Sequence, residues 1–106
     1  MTGEGIDLIT GEWESRKVYI DGVELDPVES QRIKNHSPDG FAWGYGGSGS
    51  SQLALAIMLK FLPIHEALRC YHDFKRDFIA SMWREEDFYI AGETVQNWIN
   101  ERRAGA

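Results

Sequence analysis

Basic residues are scarce in this chain. Its 106 residues hold 11 Lys+Arg against 17 Asp+Glu, a net charge of −6. Phosphate backbones are gripped mainly by Lys and Arg, so neither generic nucleic-acid binding nor docking on an anionic membrane is expected. Cysteine is nearly absent. Cys70 stands alone, so no internal disulfide can form, which suits a reducing cytosol and leaves the fold to its core. Long apolar runs are missing too. The longest, Leu53–Leu59, falls far short of the ~18 residues that span a bilayer. The opening Met1-Thr2-Gly3-Glu4-Gly5 has no basic or apolar stretch of a signal peptide, so a cytoplasmic protein is expected.

What is present fits one domain. Hydrophobic residues make up 42% and charged residues 26%, close to the globular norm. The acidic excess is uneven. Residues 1–30 carry Glu4, Asp7, Glu12, Glu14, Asp21, Glu24, Asp26 and Glu29 against only Arg16 and Lys17. The remainder is near neutral and has room for a local basic patch.

Residues 1–15 read as a weakly ordered acidic tail anchored by Trp13, and 16–106 as a single domain. Lys17–Ile20 and Val23–Leu25 are β-prone runs on either side of Asp21-Gly22, which predicts a hairpin with a type I′ turn. Pro27 ends the second strand or sits on its edge. Gln31–Asn35 reads as a third strand, and Ser37-Pro38-Asp39-Gly40 as a turn. Gln52–Leu62 is apolar on nearly every side and predicts a buried central helix, capped by Ser50 or Ser51. Ile64, Ala67, Leu68, Tyr71, Phe74, Phe78, Ile79 and Met82 make one stripe of a second helix, from about Ile64 to Trp83. Glu85-Glu86-Asp87 reads as a turn and Phe88–Ile90 as a short strand returning to the hairpin. A last helix runs from near Gly92 to Arg103. The expected fold class is α+β: a small antiparallel sheet, the amino-terminal hairpin plus one or two short strands, on three helices, with the central one at about 51–62.

The unusual segment lies between turn and helix. Gly44-Tyr45-Gly46-Gly47-Ser48-Gly49 holds four glycines in six residues, which demands sharp turns, positive φ or a close approach to the backbone. A glycine-rich turn that opens a helix presents free N–H groups and a partial positive charge, to which Ser48, Ser50 and Ser51 add hydroxyls. No Gly-Lys-Ser/Thr follows, so this is not a P-loop, and no parallel βαβ unit surrounds it. The candidate ligand-binding set is His36, Trp43, Tyr45, Gly46, Gly47, Ser48, Gly49, Ser50, Ser51, Gln52 and Lys75. Trp43 or Tyr45 would supply a stacking face, and Lys75 or Arg69 a cation. The alternative is a purely structural corner in which both rings tuck under the apolar helix. His36, Asp39 and Ser48 are the residue types of a hydrolytic triad, but Gly46–Ser50 is no nucleophile elbow. His65 and His72, two helical turns or ~10 Å apart, are too distant to share an ion. Cys70 reads as a packed small residue. No enzymatic activity, cofactor or metal is expected.

Asn35-His36-Ser37-Pro38-Asp39-Gly40-Phe41-Ala42-Trp43-Gly44-Tyr45-Gly46-Gly47-Ser48-Gly49, followed by Gln52-Leu53-Ala54-Leu55-Ala56-Ile57, resembles the signature of a small bacterial and phage family known only as a domain of unknown function. The similarity begins near Val18-Tyr19-Ile20-Asp21-Gly22 and runs through Tyr71-His72-Asp73-Phe74-Lys75 to the Trp83–Trp98 tail. Ser50 departs from the pattern, which usually has proline there. The resemblance implies a cytoplasmic accessory protein, often encoded on phages or other mobile elements, and assigns no activity or site. Two functions follow as expectations. One is a binding module for a small anionic or nucleotide-like ligand at the glycine-rich loop. The other is a module that docks, and on a phage inhibits, a host defence protein through its acidic residues and exposed aromatics.

Overall fold

The first hairpin is dictated by its turn. Asp21 and Gly22 both have positive φ, 50° and 80°, as a type I′ turn requires. They join β2 (Lys17–Ile20) to β3 (Val23–Glu24), with Ile20 opposite Val23. The computed structural model describes residues 5–105.

A strand precedes this hairpin where a weakly ordered tail was expected. β1 (Leu8–Glu12) lies between β2 and β4 (Phe88–Ala91) in a wholly antiparallel sheet of order β3-β2-β1-β4. Local composition hides it, because its support is distant. The Asp21 carboxylate accepts the N–H groups of Asp7 (3.0 Å) and Leu8 (2.9 Å). Gly11 lies opposite Phe88, whose ring occupies the space that a Cβ on Gly11 would need. The returning strand, β4, therefore joins β1 and not the hairpin. Residues 1–4 of the expected tail lie outside the described residues.

Gln31–Asn35 is not a strand. α1 (Val28–Ile33) forms there, making four α-helices among the described residues instead of three. The Asp26 carboxylate accepts the Val28 N–H (2.9 Å), and Pro27 has no amide to leave unpaired at the helix start. α2 (Ser48–Phe61) follows the glycine-rich loop, and every residue from Gly49 to Met58 is buried. α3 (Ile64–Phe74) continues as a π-helical turn over Lys75–Ile79, so this helix stops short of Trp83. α4 (Gly92–Gly105) closes the chain.

α2 packs against α1, α3 and the π-turn, and α4 packs on β4. One hydrophobic cluster joins Ile9, Val18, Phe88 and Ile90 of the sheet to Leu53, Leu55, Ile57, Tyr71 and Phe74 of the helices. No helix among the described residues is long and apolar enough to cross a membrane.

The Gly11–Phe88 fit gives a direct test. Gly11→Ala forces the Phe88 ring out of the core and should cost about 1–3 kcal/mol in urea denaturation. Loss within experimental error would show that β1 and β4 do not pair in this register.

Candidate functional site

The glycine-rich corner divides between inside and outside. Phe41, Ala42, Trp43 and Gly44 are buried; Tyr45, Gly46 and Ser48 are exposed, and Gly47 is half-buried. Of its glycines, only Gly44 has positive φ (84°). The Gly44 N–H donates to the Ile79 carbonyl (3.0 Å), so the π-turn pins the loop from the far side. Gly49 is needed for close approach, since a Cβ there would lie 2.8 Å from that of Ala42.

α2 starts earlier than expected. Gly47 takes the N-cap position, and the first helical bond runs from the Ser51 N–H to the Gly47 carbonyl (3.1 Å). Ser50 and Ser51 are therefore first-turn residues, not caps. The Ser50 hydroxyl turns back to the Tyr45 carbonyl (2.6 Å). The amides of Ser48, Gly49 and Ser50 have no hydrogen-bond partner among the described residues; Ser48 is exposed, but Gly49, Ser50 and Ser51, expected in the ligand set, are buried by the packing around the first turn of α2.

Lys75 reaches this end from the π-turn. Its Nζ donates to the Ser51 hydroxyl at 2.8 Å. Among the described residues no carboxylate pairs with it; the ion pairs involve Lys60, Arg76, Arg102 and Arg103. Arg69 is elsewhere, lining a cleft with Leu62, Cys70 and Trp98. Arg84, which no sequence signal marked, places its guanidinium 5.4 Å from the centroid of the half-exposed Tyr45 ring.

Two expected site residues are structural instead. Trp43 is fully buried, edge-on to Trp13 (5.5 Å) and Phe88 (4.8 Å), and its indole N–H donates to the Glu86 carbonyl (2.7 Å). It offers no stacking face. Gln52 is also fully buried. Its Oε1 accepts the N–H groups of His36 (2.7 Å) and Ser37 (2.9 Å), while its Nε2 donates to the Ser30 hydroxyl (2.9 Å) and the Lys34 carbonyl (3.1 Å). A carboxamide has two donors and one carbonyl acceptor, so nothing is left for a ligand.

His36 is half-buried on the same side. Its Nε2 lies 2.7 Å from the Tyr71 hydroxyl, and its ring is 6.0 Å from that of His72. Burial chiefly, then the charges of Lys34, His72 and Lys75, hold its pKa below the ordinary 6.5. In an acidic chain, Lys34 and Lys75 bring positive charge near His36. The triad types do not assemble, since His36 is bonded to Tyr71 and makes no hydrogen bond to Ser48 or Asp39. Among the described residues no cluster of three or more His, Cys, Asp or Glu could hold a metal. Cys70 packs its Sγ 3.7 Å from the Met58 sulfur, and burial pushes its thiol pKa up.

Clefts of about 360–560 Å³ lie elsewhere and are lined by other residues. Part of the amino-terminal acidity is structural. Asp21 holds β1, Asp26 holds α1, and Glu29 faces Lys60 at 3.7 Å.

Gln52→Leu should lower stability by about 3–5 kcal/mol in urea denaturation, because it strands buried donors and acceptors on both sides of the chain. A near-neutral result would mean that α1 and the 34–37 segment are not tied to α2 in this way. The His36 shift has a definite sign. A lowered folded pKa means that the unfolded chain takes up the proton first. The His36 contribution is full above pH 6.5 and declines as pH falls below it. Melting temperature should drop over that window, and His36→Asn should flatten the slope. An unchanged slope would remove His36 from the account.

No curated protein and no solved structure matches the chain. Its residues 10–101 match the family model described as a family of unknown function (DUF6166), and the chain belongs to that family.

Proposed function

We propose that the corner at the start of α2 is a binding site for a small phosphate-like anion and that the protein acts as a binding module, not an enzyme. One observation carries this reading. Lys75, with no carboxylate partner among the described residues, is held 2.8 Å from the Ser51 hydroxyl in the first turn of α2, where the amides of Ser48, Gly49 and Ser50 have no partner and Ser48 is the one that is exposed. Helix N-termini favour anions through these amides and the helix dipole. Tyr45 and Arg84 border the exposed side and supply a ring and a second cation for a nucleotide-like ligand. The cations Lys34 and Lys75 near His36 support the same charge preference. The lone, buried Cys70 accords with a cytoplasmic setting.

A second reading, docking of a host protein in the service of a mobile element, is favoured by two strongly exposed aromatics, Trp83 (81%) and Tyr89 (72%).

The first reading is tested by titrating inorganic phosphate, pyrophosphate and ATP while following amide resonances of residues 46–51 and the melting temperature. Ligand at 100 times its dissociation constant should add about 2.7 kcal/mol. Lys75→Ala should weaken binding about tenfold, as loss of one charge-assisted contact implies. Silence of these amides toward every anion at millimolar concentration would end the proposal.

A further inference from the structure

β4 is an edge strand. It pairs with β1 on one side, and among the described residues no strand lies on the other. Its register shows which groups face outward. The Gly92 N–H donates to the Asp7 carbonyl (2.9 Å), so residues 88, 90 and 92 turn their main-chain groups to β1. Tyr89 and Ala91 alternate with them. The N–H and C=O of Tyr89 and the N–H of Ala91 therefore point away from the sheet, with no partner among the described residues. A cleft of about 370 Å³ is lined by Asp77, Phe78, Met82 and Trp83 together with Phe88–Ile90 of β4. Trp83 and Tyr89 are the two most exposed aromatics at this edge.

Charge selects among the occupants. Residues 83–93 hold Glu85, Glu86, Asp87 and Glu93 against Arg84 alone. Arg84 is turned toward Tyr45, on the glycine-rich corner. No cation pairs with Glu85, Glu86 or Glu93 among the described residues. A second copy added antiparallel would bring Asp87 or Glu85 of one chain toward Glu93 of the other, and facing like charges are destabilising. A basic strand meets attraction instead.

We propose that the outer edge of β4 is a docking site for an extended, basic segment of another protein, added as a fifth strand. Its main chain bonds Tyr89 and Ala91, its apolar side chains alternate into the Phe78–Trp83 cleft, and its Lys or Arg residues face Glu85, Glu86 and Glu93. Strand addition takes affinity from main-chain bonds and specificity from alternate side chains. The site is independent of the anion corner, so either stands if the other fails.

The probe is a nine-residue peptide alternating Val with Lys, compared with a Val/Glu version and with a Val/Lys version N-methylated at alternate amides. Fluorescence anisotropy should show saturable binding of the first alone. Amide exchange at Tyr89 and Ala91 should slow about tenfold in its presence while Phe88 and Ile90, already paired, change little. Tyr89→Pro removes an outward N–H that β1 does not use, a place where an edge strand tolerates proline, so it should block binding with the melting transition retained. Should that variant unfold, Glu85→Lys/Glu86→Lys leaves the backbone intact and should weaken the Val/Lys peptide about tenfold while admitting the Val/Glu one. Equal binding of the N-methylated peptide, no slowing at Tyr89 and Ala91, or a dimer in sedimentation that forms through β4 would each overturn the proposal.

Discussion

The buried carboxamide of Gln52 is the contact on which the functional corner depends. It sits in the first turns of α2, fully enclosed, and reaches three separate pieces of chain: Ser30 in α1, the Lys34 carbonyl after it, and the amides of His36 and Ser37. Buried polar groups are tolerated only when satisfied, and here each group satisfies the other. The Gln31 carboxamide extends the network by donating to the Ser37 carbonyl (2.9 Å). An apolar residue at 52 would fill the space but leave a helix end and two loop amides without partners. The polar side chain inside an apolar helix therefore sets where the loop begins.

From that anchor the chain is pinned at successive points. Trp43 is sealed between Trp13 and Phe88 and tied to the Glu86 carbonyl, and Gly44 is tied to Ile79. Only after these fixings does the backbone emerge at Tyr45–Ser48. The π-turn contributes twice, since its Ile79 carbonyl holds the loop and its Lys75 reaches Ser51. A rigid cradle for a charged ligand needs such support, because ordering a loop on binding costs affinity.

Charge is segregated around this frame. Lys34 and Lys75 lie near His36 on the flank of the α2 start, whereas Glu85, Glu86 and Glu93 lie around the β4 edge. A net charge of −6 hides both features, since it sums them over the whole chain. Partner preference is a property of each face.

Local rules made much of this chain readable. Asp21-Gly22 demanded its turn, the apolar run of α2 demanded burial, and the stripe from Ile64 to Ile79 demanded a helix, because each rests on neighbours within a few residues. The α1 helix was also locally encoded, in Asp26-Pro27, but reading Pro27 as a strand end and Gln31–Asn35 as a strand obscured it. β1 was not legible, since what holds it, Asp21 and Phe88, is far along the chain. The glycine-rich corner was legible as a special segment but not in its parts. Ser48, Ser51 and Gln52 look alike as polar residues at a helix start, yet one is exposed, one receives Lys75, and one is sealed in the core. Short-range chemistry settled which backbone shapes were possible. The meeting of distant segments settled which polar groups kept a free hand, because burial is a property of everything packed around a residue and not of the residue alone.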